Sequence, residues 1–461
     1  MKENIILFND KTDCCGCWAC ENICPKNAIT MIEDKEGFLF PEIDQSKCIK
    51  CGLCLKTCPI KKRQKEEADP STASKKKYIK IINLHMTKNY GASIAAACLE
   101  DQIRKLVSSD ITVKTVNYSN YSIYEEKPLL RFREKIYDNE GIVNSIKLLI
   151  TPNKSIMSSN ETVCRNENYK KFENLFLNLT VLMNNYNLMN DTDNNVAVIC
   201  GSDVIWHTKR IISDKSYAFC LRFAEKNTIK IAYAPSIDCK SSFKLNAKSP
   251  FYKKRLSGID YISIRENSSV PFIKKQTKKD VFQCCDPALL FDAEYYNKMI
   301  SMANIENSDN NSDYIYAYVL GQNKDIADYV KNLSEKKKLK VLFYSDTNND
   351  FGNNSQNCFS DGPCEFLYRV RNAKYVVTTS FHCVVFSLLF KKQFLTFQRN
   401  KYSIKTLDLL ASVDLSERLV NTTDCIPCID DNIDYDKVYE KIETSRESSI
   451  KFLENALASL K

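Results

Sequence analysis

The chain has 461 residues and a mass of 53.0 kDa, a length that suggests about three folding units. Hydrophobic residues make up 44% and charged residues 27%, an ordinary globular composition that excludes collagen-like, fully disordered and coiled-coil chains. The net charge is +9, but residues 1–60 sum to −2, so the remaining chain carries the positive charge. Such a basic part suits anionic small substrates or acidic partners. Because the charge is diffuse and no basic stripe is interleaved with aromatic residues, we expect no nucleic-acid binding.

Neither a membrane span nor a secretion signal is evident in the sequence. No stretch approaches 18 consecutive apolar residues, so we expect no transmembrane helix. The opening segment MKENIILFND has a short apolar run without a cleavage site of small residues, and we expect a cytoplasmic protein. The 21 cysteines could indicate a disulfide scaffold, but such scaffolds are short secreted domains. Nine of the cysteines instead lie within the first 58 residues.

Two cysteine-rich segments share one spacing. The segments CCGCWACENICP (residues 14–25) and CIKCGLCLKTCP (residues 48–59) both contain C-x2-C-x2-C-x3-C-P, which resembles the pattern of bacterial two-cluster ferredoxins. In that pattern three thiolates bind one cluster, and the fourth, which precedes proline, binds the other cluster. The spacing therefore predicts two [4Fe–4S] clusters. One would be held by Cys14, Cys17, Cys20 and Cys58, and the other by Cys48, Cys51, Cys54 and Cys24.

The alternative for this segment is a pair of zinc knuckles or a set of unligated thiols, although zinc sites rarely need eight interleaved cysteines. Gly16 and Gly52 suit tight turns beside sulfur. We expect residues 1–60, called the head below, to form a small α+β ferredoxin-like domain. Residues 61–77 mix charges with Pro, Ser and Thr and predict a solvated linker.

From residue 78 onward, called the body below, short apolar runs alternate with helical patterns. Nearly continuous apolar strands between amphipathic helices favour parallel sheets covered on both faces. We expect an α/β body of two Rossmann-like halves, residues 78–305 and residues 306–461, the second ending in a terminal helix. The predicted strands are 78–84, 111–116, 196–200, 230–234, 261–264, 314–320, 340–345, 373–379 and 393–397. The predicted helices are 92–107, 166–180, 249–257, 325–337, 364–372, 383–391, 404–411 and 443–460.

Polar residues follow several of these strands, where ligands of parallel sheets bind. Gly91, in NYGAS (89–93), permits close approach of an anion to a helix N-terminus, or belongs to an ordinary strand–helix turn. Ser202 and Asp203 follow the strand 196–200, and Asp203 is either an acid or base or a helix N-cap.

Two further candidates lie later in the chain. Arg265, in the segment SIRE (263–266) that ends a strand, suits a bidentate grip on carboxylate or phosphate, or pairs with a neighbouring acid. His382 begins an apolar helix after a buried strand, a position that favours a functional role over a structural one. His85 is expected to be structural.

Taken together, these segments resemble the polysaccharide pyruvyl transferase family over about residues 80–420. The segments that carry the resemblance are NYGASIAAACL, GSDVIW, AYAPSI, SIRE, CDPALLF and VVTTSFHCVVFSLLF, in that order. The resemblance implies a GT-B-type fold with its site between the two halves. It also implies transfer of a pyruvyl group from phosphoenolpyruvate to two hydroxyls of a sugar in a surface polysaccharide.

The resemblance implies roles for individual residues as well. His382 would be the acid or base or a phosphate contact, Asp203 a base or acceptor-sugar contact, and Arg265 and Arg399 anion clamps. Many family members have arginine at the position of Ser380, two residues before the histidine, so this chain lacks one phosphate ligand there.

Ketal transfer moves no electrons, so a second function stays open beside the transferase. The head would then pass electrons between a redox partner protein and a repurposed body, or the body would serve only for docking.

Overall fold

The computed structural model describes most of the head and body. The described residues are 5, 7–8, 14, 16–33, 39–58, 60, 76–119, 159–213, 215–238, 242–305, 313–345, 347–398, 404–421 and 426–461. The chain divides into two compact units, Met1–Lys76 and Lys77–Lys461. Most of the predicted linker and Arg399 lie outside the described residues.

The first unit is a small α+β domain. Its elements are α1 (Ala19–Asn22), β1 (Ile29–Glu33), β2 (Leu39–Ile43) and α2 (Leu53–Thr57). The strands pair antiparallel, with Ile29 opposite Ile43. Alternate residues of β1, Ile29 and Met31, face a small core that also holds Cys20 and Cys54. The cysteine motifs therefore provide part of the hydrophobic interior as well as candidate ligands.

The two cysteine motifs repeat each other in backbone as well as in sequence. Gly16 and Lys50 occupy equivalent positions with φ of 61° and 55°, and Trp18 and Gly52 are equivalent with φ of 64° and 71°. Each motif therefore turns twice through the left-handed region, with glycine at only one of the two turns. Left-handed conformation costs an ordinary residue about 1–2 kcal/mol. The prediction that Gly16 and Gly52 support tight turns is confirmed.

The first half of the second unit is a six-stranded parallel sheet of order β4-β3-β5-β6-β7-β8. Its strands are β3 (Lys77–Ile82), β4 (Ile111–Thr115), β5 (Asn194–Asp203), β6 (Ile229–Pro235), β7 (Tyr261–Ile264) and β8 (Val281–Gln283). Its helices are α3 (Tyr90–Leu106), α4 (Ser159–Phe176), α5 (Asn185–Met189), α6 (Ser216–Phe219), α7 (Ser242–Leu256), α8 (Val270–Thr277) and α9 (Ala293–Met302).

The second half repeats this architecture with sheet order β11-β10-β9-β12-β13-β14, again parallel. Its strands are β9 (Tyr314–Val319), β10 (Lys340–Ser345), β11 (Ser355–Asn357), β12 (Tyr375–Thr378), β13 (Gln393–Phe397) and β14 (Leu419–Val420). Its helices are α10 (Lys324–Lys337), α11 (Pro363–Asn372), α12 (Phe381–Leu389), α13 (Ile404–Ser412) and α14 (Tyr435–Ala456). The predicted fold class, a ferredoxin-like head and two Rossmann-like halves, is confirmed.

All nine strands predicted for the body are present, because most are nearly continuous apolar runs that are largely buried, while the edge strand β4 alternates buried and half-buried residues. The short strands β8, β11 and β14 were not predicted, since they have two or three residues and little apolar signal. The helices α5, α6, α8 and α9 were not predicted either. The sequence of α8, VPFIKKQT, is too short to show a helical period clearly.

One hydrophobic cluster joins the two halves. It contains Ile79 and Ile199 from the first sheet, Tyr316 and Val376 from the second, and helices between them. Arg165 of α4 strengthens this junction. Its guanidinium donates to the carbonyl of Lys88 at 3.1 Å and to that of Phe359 at 3.0 Å. It also stacks on the ring of Tyr90, 4.6 Å from the centroid. The start of α3 is thereby fixed against the second half.

The final helix, α14, packs on both halves. Near its start, Tyr439 donates to the carbonyl of Leu389, which ends α12. Two turns later, Arg446 Nε donates to the carbonyl of Leu289 at 2.8 Å, and Ser449 Oγ accepts from the N–H of Cys285 at 2.9 Å. The terminal helix therefore crosses from the second half back to the first. Over the described ranges, no helix combines the length and the apolar character that a membrane span needs.

Candidate functional site

The candidate residues of the body meet at one place, where the carboxyl ends of β5 and β7 face the start of α12. Parallel strands bring their carboxyl ends to one edge, so residues distant in sequence become neighbours there. Ser202 and Asp203 end β5, Arg265 follows β7, and His382 lies in the first turn of α12. The structure thus brings together the candidates from both halves.

Asp286 is the centre of this arrangement, although its sequence position predicted no role for it. Its Oδ2 accepts from Arg265 Nη1 at 2.6 Å and from Ser202 Oγ at 3.1 Å, and lies 3.6 Å from His382 Nε2. Its Oδ1 accepts from the N–H of Ala288 at 3.0 Å. Burial alone would raise the pKa of this carboxyl, but His382, Arg265 and that N–H hold it well below its usual range. Asp286 is therefore an ionised carboxylate in a buried position.

Arg265 is buried among acids, with its side chain 4% exposed. Besides the bond to Asp286, its Nη2 lies 3.7 Å from Asp203 Oδ1 and its Nε lies 3.5 Å from Glu266 Oε1. Its guanidinium also stacks over Phe381, 4.4 Å from the ring centroid. Nε and Nη2 have no hydrogen-bond partner within the described residues. The ion-pair alternative for this arginine is therefore present in the structure, and the grip on an anion stays a prediction.

Asp203 and Glu266 flank this arginine, and their pKa values are shifted in opposite directions. Burial would raise the pKa of Asp203, but Lys405, Arg265 and His382 lower it below its ordinary value. Burial raises the pKa of Glu266, and Arg265 offsets only part of this rise. Asp203 has a φ of 63°, a strained backbone of the kind that clusters at functional sites. Its Oδ1 accepts from the N–H of Val204 at 2.9 Å, so it does not cap a helix.

His382 packs directly on Gly91, which explains the glycine at that position. A Cβ built on Gly91 would lie 2.0 Å from His382 Cγ and 2.2 Å from Nδ1. From the sequence, Gly91 was predicted to allow the close approach of an anion, whereas here the imidazole takes up this space. The start of α3 is capped by Asn89, whose Oδ1 accepts from the N–H of Ala92 at 3.2 Å. His382 Nε2 is buried and has no hydrogen-bond partner among the described residues.

Ser380 caps α12, and its Oγ accepts from the N–H of Cys383 at 3.5 Å. It is buried, and its short side chain supplies no charge where many family members have arginine.

A cavity of about 710 Å³ opens beside these groups. Arg265, Asp286 and Phe381 form one end of its wall, and α13 and α14 form most of the rest. Its volume is within the range of ligand pockets, about 300–1,000 Å³. Lys405 of α13 also lines it, with Nζ 5.8 Å from the Phe381 centroid and 4.0 Å from Asp238 Oδ2. This lysine is a cation beside the site that was not predicted from the sequence.

Of the site residues that were not predicted, only some lie in sequence segments that could have identified them. Asp286 belongs to the segment CDPALLF and Glu266 to SIRE, both of which carry the family resemblance. Lys405 lies in no such segment, and its nearness to the site depends on how α13 packs. His207, in GSDVIWH, is half-buried and contacts the N–H of Lys209 rather than the Asp286 cluster.

His85 is fully buried, and its Nδ1 lies 2.8 Å from Asn83 Oδ1, as a structural histidine would. Burial lowers its pKa from 6.5 to about 4. The unfolded chain therefore takes up a proton on this residue first, and stability falls as pH drops from about 6.5 towards 4.

Replacing His85 with asparagine should weaken this pH dependence. Between pH 7 and pH 5.5 the wild type should lose about 1 kcal/mol of stability through His85, a loss that the variant lacks. Thermal unfolding midpoints of both proteins at the two pH values measure the difference. Equal drops in midpoint would show that His85 does not carry this linkage.

In the head, the cysteines gather in two groups. Cys24, Cys48, Cys51 and Cys54 line one small cavity. Burial raises the pKa of the Cys14 thiol, and neighbouring Cys17 and Cys58 add to the rise. Burial likewise raises the pKa of Cys20 to about 11, with contributions from Cys17 and Cys14. Each group therefore combines three cysteines of one motif with the fourth of the other.

The surroundings of the thiols suit iron–sulfur ligands. The N–H of Gly16 lies 3.4 Å from Cys14 Sγ, and that of Ala28 lies 3.3 Å from Cys24 Sγ. Hydrogen bonds to the sulfurs are one of the factors that set cluster potential. Across the described part of the head and body, no three ligating side chains converge on a single metal ion. A cubane needs a wider arrangement, because each thiolate binds a different iron.

Replacing Cys54 with serine should remove one cluster and leave the other. We expect iron and acid-labile sulfide per chain to fall to about half, since one set of four thiolates stays intact. Cys164→Ser, an exposed cysteine of α4, is the matched control and should leave both contents unchanged. Unchanged iron in Cys54→Ser would contradict the ligand assignment.

Comparisons with known proteins agree with both parts of the chain. Residues 89–400, more than half of the chain, match the family model for polysaccharide pyruvyl transferase. Residues 13–62 match the model for a 4Fe-4S dicluster domain.

Two curated proteins resemble the head. One, from an ion-translocating oxidoreductase complex of Methanosarcina acetivorans, is 46% identical over 48 residues, 10% of this chain and 16% of that protein. The other, from an NADH-quinone oxidoreductase of Geobacter metallireducens, is 37% identical over 59 residues, 12% of this chain and 45% of that protein. The chain thus spans less than half of the length of either relative.

Solved structures resemble the body in fold alone. A UDP-GlcNAc 2-epimerase from Neisseria meningitidis is 11% identical with a TM-score of 0.43, covering 82% of this chain and 94% of that one. An E. coli heptosyltransferase is 9% identical with a TM-score of 0.33, covering 70% and 90%. Since one family model spans the cluster of Gly91, Asp286 and His382 and another spans both cysteine motifs, the chain belongs to the polysaccharide pyruvyl transferase family and carries a 4Fe-4S dicluster domain before its transferase domain.

Proposed function

We propose that the body transfers a pyruvyl group from phosphoenolpyruvate to two hydroxyls of a sugar in a surface polysaccharide. The observation that carries this proposal is buried Arg265, whose Nε and Nη2 have no hydrogen-bond partner in the described part of the chain. Arg265 and Asp286 line a cavity of about 710 Å³, and His382 Nε2 lies 3.6 Å from Asp286 Oδ2. Guanidinium donors that make no hydrogen bond, and only long ion-pair contacts to Asp203 and Glu266, suit a small carboxylate or phosphate from the adjoining cavity.

The proposed reaction balances without any oxidant or reductant. A proton adds to the methylene carbon of phosphoenolpyruvate, which becomes a methyl group and leaves an oxocarbenium-like centre at the neighbouring carbon. Two hydroxyl oxygens bond to that carbon in turn, and the bond to the phosphate oxygen breaks. Of the two hydroxyl protons, one offsets the proton added to carbon and the other leaves on inorganic phosphate. The products are a cyclic ketal and phosphate.

In this reaction the imidazole of His382 supplies the proton to the methylene carbon; its Nε2 makes no hydrogen bond within the described residues and faces Asp286 Oδ2. Ionised Asp286, 3.6 Å away, stabilises the protonated imidazole, as a carboxylate does in other acid–base pairs. Asp203 has a low pKa and is a weak base. It therefore orients an acceptor hydroxyl, and takes the proton only once the oxygen is bonding to carbon and has become strongly acidic.

Lys405 supplies the second cation for the donor in place of the arginine that Ser380 replaces. Its Nζ lies beside the same Phe381 ring on which Arg265 stacks. Two cations on one aromatic ring can hold the two anionic ends of a small phosphorylated acid.

Replacing Lys405 with methionine should raise the KM for phosphoenolpyruvate about tenfold or more, because charged hydrogen bonds contribute about 1.5–3 kcal/mol. Lys405→Arg should restore most of the affinity. Lys437→Met is the matched control, since Lys437 lines the same cavity and pairs with Asp434. Equal KM values in Lys405→Met and Lys437→Met would exclude Lys405 as a donor ligand.

The proposal is tested by phosphate release from phosphoenolpyruvate. Anaerobically purified full chain is incubated with phosphoenolpyruvate and candidate sugars, and released phosphate and ketal are measured. Arg265→Ala and His382→Ala should abolish release. Release that survives in both variants, or that needs no sugar, would contradict the proposal.

We further propose that the head holds two [4Fe–4S] clusters, which supply one-electron transfer, and exchanges electrons with a redox partner protein. The similarity of the head to two oxidoreductase subunits supports this part. The free thiols of the described cysteines suit a reducing, cytoplasmic setting.

The second candidate function is a redox protein whose body carries out another reaction or serves for docking. Cys48→Ser separates the two, because it should damage one cluster and leave ketal transfer largely intact. Parallel loss of phosphate release and cluster would favour the redox function.

A further inference from the structure

Helix α7 turns an unusual face to solvent. Its sequence, SFKLNAKSPFYKKRL, contains five cations and no acidic residue. Tyr252 and Leu256 are fully buried and attach one face of the helix to the first half. The opposite face exposes Phe243, 82% accessible, and Phe251, 41% accessible. These two rings lie eight residues apart, which places them on one stripe with Ala247 between them.

Cations border this stripe. Lys244, Lys253 and Lys254 are exposed, and Lys248 and Arg255 lie over the Phe251 ring at 5.9 and 5.4 Å from its centroid. The neighbouring helix α8 adds exposed Lys274 and Lys275 and also has no acidic residue.

Residues 243–280, which include α8 and nearly all of α7, carry most of the net positive charge of the chain. Residues 243–280 contain ten Lys and Arg against three Asp and Glu, a net charge of +7, whereas the chain of 461 residues totals +9. Arg265 and Glu266 cancel each other inside the site, so the exposed part carries the excess. The linear sequence shows no basic stripe with aromatic residues, because the stripe exists only once residues 242–256 are wound into a helix.

From these observations we infer that the outward face of α7 docks the protein on an anionic phospholipid surface. The lysines pair with headgroup phosphates, and Phe243 and Phe251 enter the boundary between headgroups and acyl chains. Interfacial helices combine such an apolar stripe with flanking Lys and Arg. A single-stranded nucleic acid would instead stack its bases on separate aromatic rings along a groove. The apolar stripe, continuous through Ala247, fits a lipid surface better.

Vesicle sedimentation tests the inference independently of catalysis. Anaerobically prepared full chain is mixed with vesicles of phosphatidylcholine alone or with about 30% phosphatidylglycerol, which supplies the anionic surface. We expect binding to the anionic vesicles only, and a loss of binding as salt is raised. Each of Lys253→Gln and Lys254→Gln should weaken binding about fivefold. Phe243→Ser should weaken it about tenfold, and its exposed position leaves thermal stability unchanged.

Matched controls lie on other helices. Lys170→Gln and Lys336→Gln change exposed lysines of α4 and α10, and Tyr186→Ser changes an aromatic residue that is 72% exposed. These three should bind vesicles as the wild type does. Equal binding by Phe243→Ser and wild type, or binding to a DNA oligonucleotide but not to anionic vesicles, would overturn the inference. Phosphate release in solution should be unchanged in all α7 variants, so failure of the two proposals can be told apart.

Discussion

Replacing Asp286 with asparagine should lower the rate of phosphate release from phosphoenolpyruvate by about 100-fold or more. The carboxylate accepts from Arg265 and Ser202 and lies 3.6 Å from His382, so one substitution alters three candidate residues. Without the carboxylate, the guanidinium of Arg265 is a buried charge without its closest anionic partner, and the imidazole of His382 loses the carboxylate beside its Nε2. Loss of one partner of a buried ion pair costs about 3–5 kcal/mol, so the thermal midpoint should fall too.

Asp292→Asn is the matched control for Asp286→Asn. Asp292 lies six residues further along, and caps α9 by accepting from the N–H of Tyr295 at 3.1 Å. Replacing Asp292 with asparagine should lower the free energy of unfolding by only part of what the N-cap contributes, and should leave kcat and KM unchanged. If Asp286→Asn lowered only the melting temperature, as a cap variant does, Asp286 would be structural and the proposed acid–base pair would be wrong.

Replacing Gly91 with alanine should remove most of the activity. The new Cβ would lie 2.0 Å from His382 Cγ, far inside contact distance, and the ring is fixed in a buried position. His382 must therefore turn away from Asp286, or the start of α3 must move. Overpacking of this kind costs typically about 1–3 kcal/mol. Rates of phosphate release and thermal midpoints of the full chain measure both effects.

Two further variants show whether the clash itself is responsible. Gly258→Ala is the matched control, because its Cβ would meet nothing within 4 Å. In the double variant Gly91→Ala/His382→Ala, the thermal midpoint should recover relative to Gly91→Ala, while activity stays absent. Full activity in Gly91→Ala would show that the imidazole of His382 does not lie over the glycine in the working enzyme.

The fold was largely predictable because its signals are local. Eight cysteines in two equal spacings identify the head without any long-range information, since ligand spacing is fixed by cluster geometry. Most of the body's longer strands are apolar runs whose burial on both faces leaves little choice of structure. By contrast, the helices α5, α6, α8 and α9 were missed, as was β14, which has only two residues.

The site was predictable only in part because its contacts are long-range. Residues at strand ends, such as Asp203 and Arg265, follow from the rule that ligands bind there. The role of Asp286 depends on Ser202, 84 residues before it, and on His382 from the other half. Lys405 reaches the cavity only through the packing of α13. Residue 91 is likewise a glycine because the side chain of His382, on a helix distant in sequence, packs against it. No local sequence pattern reveals this contact.

The attachment of α14 to both halves has a mechanical consequence. Tyr439 attaches α14 to the second half, and Arg446 attaches it to the first. The part of α14 between these two residues contributes Ile442, Thr444 and Ser445 to the cavity wall. Any separation of the halves must stretch or bend this short span, because both ends are tethered. Entry of a bulky ligand and release of product therefore require the two turns of α14 between Tyr439 and Arg446 to bend. The stiffness of these two turns limits how far the cavity can open.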